Sequence, residues 1–379
     1  MENNDSVAFI AKINKIELIE GADKIELATI NGWTSVVQKG IHKEGNLVLC
    51  ITTDAVIPEE LSTKWGVIGY LRNKSRVRTV KLKGVYSECI LIPIQQINDS
   101  TNIFFKSVKE GQDLMKDLNI FKYEPPVKTI QLANGKTRKY KGNPSFEIYY
   151  KFPNQKNTPN MFNESDEVVI TRKMHGTNAR YGIVKKTKLS LLDRIKKLFG
   201  NKWVEYEYIY GSHNVEKGSD SQGFYDTDVW QTVAVNYRIK DKLWDYVKEY
   251  HTSITLGKGI ILYGEIYGPG IQKNYDYGAI TLKLESFDVQ IDSEYLPDRD
   301  FFMTNSLLEI CNNVEYLYKG KWSKEEQDKH VFNQFIEGTK IPHEGIVVKC
   351  VTGDRRKISK VINPDYLVYG EKHGTTDSH

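Results

Sequence analysis

Short β-rich runs separated by turn residues fill the first part of the chain, and they limit its possible folds more than any other feature. The runs are Val7–Leu18, Lys24–Ile30, Thr34–Gln38, Asn46–Thr52, Arg76–Lys83 and Glu88–Ile94. Turn signals such as Asn31-Gly32 separate several of them. Five or six short strands in about 95 residues predict a small closed or nearly closed barrel. An OB-fold fits this pattern, and an SH3-like barrel is the alternative.

The length of 379 residues predicts two domains, because a single hydrophobic core rarely serves so long a chain. Pro125-Pro126 and Asn134-Gly135 punctuate a polar, basic stretch between them. We therefore expect an OB-fold nucleic-acid-binding domain at 1–115, a basic linker at 116–145 and a second domain at 146–379. The second domain alternates strands with a few helices, which predicts an α+β fold of antiparallel sheets with flanking helices.

Two helices are predicted in the second domain. Ser190–Phe199 places its apolar side chains on one face and basic side chains opposite, and Gly200 follows where a glycine often ends a helix. We expect this helix to pack its apolar face against the protein, rather than to serve as a membrane or calmodulin-type segment. Gln231–His251 is the second candidate.

Basic residues are clustered, although the net charge is only +4. One cluster comprises Arg72, Lys74, Arg76, Arg78, Lys81 and Lys83, and a second comprises Lys136, Arg138, Lys139 and Lys141. Such stripes can neutralise phosphates, so both are candidate nucleic-acid contacts, with Arg76 and Arg78 as first choices. The alternative is a solvated strand face.

No sequence feature predicts export or a membrane span. The four cysteines are far apart without C-x-x-C spacing, which argues against a zinc site and against a disulfide scaffold. The N-terminus is polar, and no apolar run approaches about 18 residues. We expect an intracellular, cytoplasmic monomer. A composition rich in asparagine and lysine would suit an AT-rich viral or microbial genome.

Lys173 is the candidate nucleophile. It lies between the β-branched run Val168–Thr171 and a turn that contains Gly176. A lysine that ends a buried strand loses hydration, which disfavours the ammonium form and leaves a neutral, nucleophilic amine. If Lys173 is such a nucleophile, the protein is a covalent nucleotidyl transferase.

Three later segments are short apolar strands that end in charge. They are Ile260–Glu265, Leu284–Val289 and His343–Lys349, and Lys360 follows the third. After Lys173–Gly176 as motif I, they resemble in order motifs III, IIIa, IV and V of the covalent nucleotidyl transferase superfamily. That superfamily comprises polynucleotide ligases and mRNA capping enzymes. The resemblance makes the second domain an adenylyltransferase domain.

Two further segments narrow the resemblance to RNA ligases. His175 stands where the K-x-D-G signature of DNA ligases and capping enzymes has an aspartate, and with Gly264–Gln272 it resembles the RNA ligase 2-like branch. Glu20–Ala28, followed by Gly32-Trp33, is similar to the N-terminal OB module of the Deinococcus/Naegleria-type RNA ligases. The resemblance covers nearly the whole chain and implies an ATP-dependent RNA ligase.

The resemblance implies three chemical steps. Lys173 attacks the α-phosphate of ATP and expels pyrophosphate, AMP passes from the lysine to an RNA 5′-phosphate, and a 3′-hydroxyl then displaces AMP. Catalysis of such phosphoryl chemistry is mostly positioning and electrostatic neutralisation. The implied partner is RNA with 3′-hydroxyl and 5′-phosphate ends, in a nicked duplex.

Each matching residue receives a role by resemblance. Lys349 and Lys360 contact the α-phosphate, and Glu344 holds Mg²⁺ or Mn²⁺ directly or through water. Glu265 reads the ribose, and Phe287 stacks on adenine. The other nucleotide contacts implied are Arg172, His175, Gly176 and Asn178, with support of the later steps as the alternative for His175 and Asn178.

Two positions depart from the family pattern. His213 stands where an arginine is expected between motifs I and III, so either His213 does its work or Arg180 or Arg238 substitutes. The second motif V lysine is missing at its usual spacing from Lys360, or its charge comes from Lys357.

Two other functions stay open at this level: a non-catalytic OB-containing RNA-binding protein and a DNA-sealing ligase. The intact Lys173, Glu265 and Glu344 argue against loss of activity. Only 379 − 360 = 19 residues follow Lys360, too few for the OB domain that capping enzymes and most DNA ligases carry after motif V. The short C-terminal segment therefore disfavours a capping enzyme and a typical DNA ligase.

Overall fold

The computed structural model describes residues 6–101, 107–123, 142–213, 216–217, 228–250, 257–296, 310–351 and 357–374. The second basic cluster, Lys136, Arg138, Lys139 and Lys141, lies outside these ranges. Within them, no helix has the length and apolar character needed to cross a membrane.

The N-terminal domain contains the short strands that the turn pattern predicts. They are β1 (Ala8–Lys12), β2 (Lys15–Leu18), β3 (Ile25–Ile30), β4 (Trp33–Gln38), β5 (Leu47–Thr52), β6 (Ala55–Val56), β7 (Val80–Leu82), β8 (Val85–Ser87), β9 (Cys89–Pro93) and β10 (Phe121–Lys122). They form two three-stranded sheets, β1-β5-β9 and β2-β3-β4, and two separate two-stranded pairs, β6-β10 and β7-β8. The helices α1 (Glu59–Lys64) and α2 (Ile94–Ser100) follow β6 and β9. Alternating side chains form two apolar clusters, one around Ile10 and one around Ile30.

The N-terminal domain extends past the predicted boundary at residue 115. Leu118 and Ile120 are buried in its core, and β10 pairs with β6. The second domain begins earlier than predicted, since the Asn143 side-chain amide donates to the Lys185 carbonyl over 2.9 Å. The predicted linker 116–145 is therefore too long at both ends, because apolar burial and backbone pairing were not visible in its polar composition.

The second domain is built on two antiparallel sheets. The four-stranded sheet, here the nucleophile sheet, has the order β19-β11-β20-β21, and the seven-stranded large sheet has the order β14-β13-β12-β15-β16-β17 with β18 on β16. The strands are β11 (Glu167–Lys173), β12 (Thr177–Lys185), β13 (Tyr206–Gly211), β14 (Glu216–Lys217), β15 (Gly259–Tyr267), β16 (Lys283–Ile291), β17 (Glu294–Tyr295), β18 (Asn312–Asn313), β19 (Tyr316–Lys321), β20 (Gly345–Cys350) and β21 (Ile358–Ile362).

Five helices flank these sheets in the described part of the second domain. They are α3 (Leu191–Leu198), α4 (Val229–Asn236), α5 (Ile239–Tyr250), α6 (Lys324–Lys329) and α7 (Pro364–His373). The predicted helix Gln231–His251 is in fact two helices, because Arg238 adopts a left-handed φ of 53° between them. Val233 of α4 and Leu243 of α5 are fully buried against the large sheet. Burial of each such side chain contributes about 1.5–3 kcal/mol.

Helix α3 begins and ends as predicted, but its apolar face is not packed. Ser190 and Asp193 form a capping box, and Gly200 follows the helix with a φ of 84°. Its apolar side chains are exposed: Leu191, Leu192, Ile195, Leu198 and Phe199. Among the described elements its main contact is the 3₁₀ turn Lys202–Glu205. The prediction of a packed helix was therefore wrong for this face.

Candidate active site

The three lysines assigned to catalysis by resemblance lie on one face of the nucleophile sheet. Lys173 ends β11, and Lys349 of β20 stands directly opposite Val169 of β11. Lys360 of β21 stands opposite Val347, two residues before Lys349. Directly paired residues of antiparallel strands share a face, and side chains alternate along each strand. Strand register thus brings together lysines that are far apart in the sequence.

A buried carboxylate contacts the candidate nucleophile. The Lys173 Nζ lies 2.5 Å from Oε1 of Glu344, whose side chain is only 1% exposed. Gly345 pairs in register with Lys173, which places Glu344 beside the end of β11. A Cβ on Gly345 would lie 2.1 Å from the carbonyl oxygen of Val361, so only glycine permits this approach of β21. The ion pair therefore sits where three strands meet.

Lys349 links the two sheets. Its Nζ donates to the Phe287 carbonyl oxygen over 2.8 Å and lies 3.6 Å from Oδ2 of the buried Asp288. The Tyr149 hydroxyl donates to the same carboxylate oxygen over 2.8 Å. The Phe287 ring meets the Tyr149 ring edge-on, with 5.0 Å between centroids. The catalytic face of β20 thus looks onto β16, where the adenine-stacking residue was expected.

The loop after Lys173 lies tightly against β15. A Cβ on Gly176 would lie 2.2 Å from the Ile266 carbonyl oxygen, so a larger residue would displace the loop. Asn178 pairs in register with Glu265, so their side chains share a face. The Asn178 Oδ1 is buried and accepts no hydrogen bond from any residue that the structure describes. A buried acceptor left unsatisfied costs about 1–3 kcal/mol, which a ligand donor would recover.

His175 does not face the nucleotide side as expected. Its ring is 3% exposed, and its Nδ1 lies 3.0 Å from the Tyr366 hydroxyl of α7. Its backbone N–H donates to the Tyr277 hydroxyl over 2.7 Å, and the Tyr275 ring meets it edge-on at 5.0 Å. Because these tyrosines enclose the ring, His175 supports the Lys173 loop from behind. These contacts favour a supporting role for the side chain, and its direct contact with the nucleotide stays a prediction.

Arg172 is also placed away from the catalytic face. Strand alternation directs it to the opposite face of β11 from Lys173. Its Nε donates to Glu315 over 2.9 Å, and its guanidinium reaches the His330 carbonyl at 3.4 Å. The predicted nucleotide contact is therefore not made by the Arg172 side chain in this arrangement.

Arg180 and His213, two candidates to replace the family arginine, lie in different environments. Arg180 is buried, and its guanidinium donates to the carbonyl oxygens of Ser212 at 2.9 Å and Phe146 at 2.5 Å. Burial, with the nearby charges of Lys151 and Arg180, lowers the pKa of His213. His213 is thus biased toward its neutral form, and Arg180 holds the backbone beside it instead of presenting its charge to a phosphate.

Lys357 directly precedes β21 and lies three positions before Lys360, so strand alternation does not place it on the face of that lysine. Its Nζ forms an ion pair with Asp166 over 3.0 Å, next to the first residue of β11. Lys173 is at the other end of that strand, about 20 Å away at about 3.3 Å per residue. The proposal that Lys357 supplies the second motif V charge is therefore corrected.

The first-choice arginines of the N-terminal basic cluster are engaged within the protein. Arg76 is buried, forms an ion pair with Asp54, and stacks its guanidinium 4.2 Å from the Tyr123 ring centroid. Arg78 lies 3.8 Å from Glu371 of α7. Arg76 is therefore buried and ion-paired within the N-terminal domain, which favours a structural role over the predicted RNA contact. Arg78 instead faces the second domain.

Three residues near the site were missed from the sequence. Tyr366 and Tyr277 hold His175, and Asp288 pairs with Lys349. A signal existed for Tyr366, because Asn363-Pro364 is typical of a helix N-cap followed by proline at the first helical position. No sequence pattern marked Tyr277, whose role depends on tertiary contacts alone.

A cavity of about 90 Å³ lies at the junction of the two domains. Trp33 and Glu88 line it from the N-terminal domain, and Lys156 and Lys360 line it from the second domain. Lys156 forms an ion pair with Glu88, and the Trp33 indole N–H donates to Asn157 over 3.0 Å. The motif V lysine thus lies where both domains meet.

A divalent cation at this site would need substrate phosphates or water to complete its coordination. Within the described ranges, no group of three or more His, Cys, Asp or Glu side chains is arranged to hold a metal. Glu344 does offer a buried carboxylate on the catalytic face. Mg²⁺ commonly takes one or two carboxylates and completes its octahedron with water and substrate phosphates. Glu344 fits that mode of binding.

Comparisons with known proteins agree with this geometry. A family model described as RNA ligase matches residues 166–362, more than half of the chain, and an OB-fold domain model matches residues 7–94. No curated protein matches the chain by sequence.

Solved structures show the same fold. An apo mutant of Naegleria gruberi RNA ligase superposes with a TM-score of 0.71 at 19% identity, covering 97% of this chain and 98% of that one. The same ligase with PPi gives 0.70 at 19% identity, covering 97% and 99%. A mutant of it with ATP and Mn gives 0.71 at 19% identity, with the same coverage as the PPi structure. The predicted N-terminal OB-fold and α+β second domain are confirmed, and the chain belongs to the RNA ligase family.

Proposed function

We propose that this protein is an ATP-dependent RNA ligase that joins 3′-hydroxyl and 5′-phosphate ends through a covalent lysyl-AMP on Lys173. The observation that carries the proposal is the single face on which Lys173, Lys349 and Lys360 lie, with Glu344 against the nucleophile. Structural relatives bound to ATP or AMP with Mn support ATP and a divalent cation as cofactors.

In the first step, the Lys173 Nζ forms a bond to the α-phosphorus of ATP as the bond to pyrophosphate breaks. The ammonium is held in an ion pair by Glu344 and must first give up a proton to solvent. A divalent cation bound at Glu344 would neutralise phosphate charge and weaken that hold on the ammonium. Lys349 and Lys360 would contribute positive charge to the phosphate as negative charge builds on its oxygens.

The nucleotide is held by residues on neighbouring strands. Glu265 and Asn178 share a face beside the Lys173 loop and would hydrogen-bond the ribose and the nucleotide. Phe287 on β16 would stack on adenine, across from the nucleophile sheet. In the second and third steps AMP moves to the RNA 5′-phosphate and is displaced by the 3′-hydroxyl. We expect a monomer to seal a nicked duplex by this route.

Incubation with α-labelled ATP and Mg²⁺ or Mn²⁺ tests the first step. We expect a labelled protein band that is lost in Lys173→Ala. The matched control is Lys321→Ala, an exposed lysine paired with Glu167 at the far end of β11. A wild-type protein that forms no adduct with either metal would favour the non-catalytic RNA-binding alternative.

Sealing of nicked duplexes with RNA or DNA on each side tests the substrate. The proposal predicts sealing that requires ribonucleotides on the 3′-hydroxyl side of the nick. Equal sealing of an all-DNA nick would instead support the DNA-ligase alternative. Gel-resolved product formation at equal enzyme concentration measures the difference.

A further inference from the structure

Helix α7 is attached at its start to the candidate active site. Asn363 caps the helix, accepting from the Asp365 N–H at 3.0 Å. The Asn363 backbone N–H donates to the Glu344 carbonyl over 2.8 Å, and its side-chain amide donates to the His343 carbonyl over 3.1 Å. Asn363 is itself 1% exposed. The first turn of α7 is therefore fixed to the segment that carries the carboxylate against Lys173.

The buried side of α7 also holds the loop of the nucleophile. Tyr366 is fully buried, and its hydroxyl lies 3.0 Å from Nδ1 of His175, two residues after Lys173. The two rings also meet at 5.2 Å in an edge-on arrangement. A movement of α7 would therefore move the loop that positions Lys173.

The other side of α7 binds the N-terminal domain through charge. Glu371 pairs with Arg72 at 3.2 Å and with Arg78 at 3.8 Å. Asp365 accepts from the Tyr86 hydroxyl and pairs with Lys81 at 3.5 Å. The basic cluster that suggested an RNA surface is thus partly occupied by two carboxylates of one helix. Glu371 is largely buried, with 13% of its side chain exposed, so its pairs are screened less than surface pairs.

We infer that α7 is a positioning element through which the docked N-terminal domain aligns Lys173 for attack on ATP. Glu371 and Asp365 hold the helix against the OB-fold, and Tyr366 is a positioning residue that acts through His175. The inference rests on the proposed adenylylation of Lys173. It assigns the N-terminal domain a part in the first step, which involves no RNA.

Single-turnover adenylylation without RNA tests this inference in the full-length protein. Glu371→Arg is expected to lower the rate at saturating ATP several-fold, about 5–10-fold, since two like-charge contacts replace two ion pairs. Tyr366→Phe keeps the ring but removes the hydroxyl, and is expected to lower the rate about 10-fold, because small misplacements of a nucleophile are costly. In both variants the KM for ATP should stay unchanged.

A charge swap separates alignment from a general loss of structure. Arg72→Glu combined with Glu371→Arg should recover part of the lost rate, because the closer ion pair is re-formed in reverse while Arg78 still faces a like charge. The matched control is Glu325→Arg on α6, a glutamate whose side chain is 87% exposed, and it should leave the rate unchanged. Thermal unfolding of each variant reports whether the fold is retained.

The outcomes are distinct. Wild-type rates in Glu371→Arg and Tyr366→Phe, or a swap that recovers none of the lost rate, would overturn the inference while leaving the proposed function intact. A wild-type protein that forms no lysyl-AMP would overturn both. A rate that falls in the single variants, recovers in the swap and is unchanged in the control supports α7 as the coupling element.

Discussion

The nucleophile sheet and the N-terminal basic cluster are both rich in positive charge, yet they use it differently. In the nucleophile sheet, Lys173, Lys349 and Lys360 share one face between the two sheets of the domain. In the basic cluster, Arg76 is paired with Asp54 inside the OB-fold, and Arg78 faces Glu371 of α7. Both sets have carboxylate partners, Glu344 and Asp288 in the sheet and Asp54 and Glu371 around the cluster. They differ because strand register brings the lysines of the sheet to one face, whereas the two arginines of the cluster are held in separate contacts within the protein.

The difference shows that ordered motifs predict a phosphate site more reliably than a cluster of basic residues does. The catalytic lysines were placed by ordered motifs on strands, and strand register then determined which of them share a face. The basic cluster was placed by composition alone, and its acidic partners lie outside it. Asp54 is 22 residues from Arg76, and Glu371 is 299 residues from Arg72. Charge clusters therefore need a search for distant acids before they are assigned to nucleic acid.

The largest expected effect separates two lysines of the nucleophile sheet. Lys349→Met should lower Lys173 adenylylation about 10²–10³-fold, the usual cost of losing one preorganised group that stabilises developing charge. Lys357→Met, at the far end of β11 beside Asp166, should leave the rate within about 2-fold, because this partly buried ion pair lies away from Lys173. Label transfer from ATP measures both. Equal losses would contradict the assignment of only one of them to the catalytic face.

The second effect tests whether Arg76 is structural. Arg76→Met should lower the free energy of unfolding by about 2–3 kcal/mol, because it leaves the Asp54 carboxylate unpaired in a largely buried position. The adenylylation rate of the folded protein should remain. Chemical denaturation provides the measurement. Adding Asp54→Asn to Arg76→Met should recover part of the loss, and an Arg76→Met protein that is stable but fails to bind RNA would restore the original RNA-contact prediction.

A smaller effect concerns the cations of the basic cluster that remain exposed. Lys74 and Lys83 are exposed, and we expect them to bind RNA phosphates where Arg76 does not. The double variant Lys74→Ala with Lys83→Ala should weaken RNA binding about 10-fold. It should also reduce the slope of log K against log salt by about 0.7–0.9 for each phosphate that is no longer neutralised. Titrations at several salt concentrations measure it, and an unchanged slope would place the RNA elsewhere.

Much of the fold could be predicted from the sequence, because strand alternation and turn chemistry are local. The N-terminal barrel, the antiparallel second domain and the ends of α3 followed from such patterns. The domain boundary could not, because Leu118 and Ile120 reveal their burial only in the folded core. The exposure of the apolar face of α3 could not be predicted either, since an amphipathic pattern does not show whether another surface packs against it.

The candidate site likewise contains residues that the sequence could place and residues that it could not. The residues on strands, Lys173, Lys349 and Lys360, could be placed from ordered motifs. The environment of His175 could not, because its partners Tyr277 and Tyr366 come from separate later segments. Motifs identify which residues belong to the site. The direction in which each side chain points depends on packing against distant segments, which a short motif does not contain.

The smallest expected effect is on the pH dependence of stability, and it compares His42 in the N-terminal domain with His343 in the second domain. Burial, with the nearby Arg172, lowers the pKa of His343 to about 4, whereas Glu26 partly offsets the effect of burial on the pKa of His42. A depressed folded pKa means that stability is fully present above the unfolded pKa of 6.5 and is lost as pH falls toward 4. Because His343 is partly exposed, solvent screening limits the loss to about 1 kcal/mol.

His343→Gln should therefore flatten the fall in unfolding free energy between pH 6.5 and 4 more than His42→Gln does. Denaturant titrations at a series of pH values provide the comparison. A wild-type stability that rises toward pH 4, or an equal response of the two variants, would contradict the difference between the two sites. The expected result would show that burial, with a smaller contribution from Arg172, lowers the pKa of the residue preceding Glu344 more than burial lowers the pKa of His42.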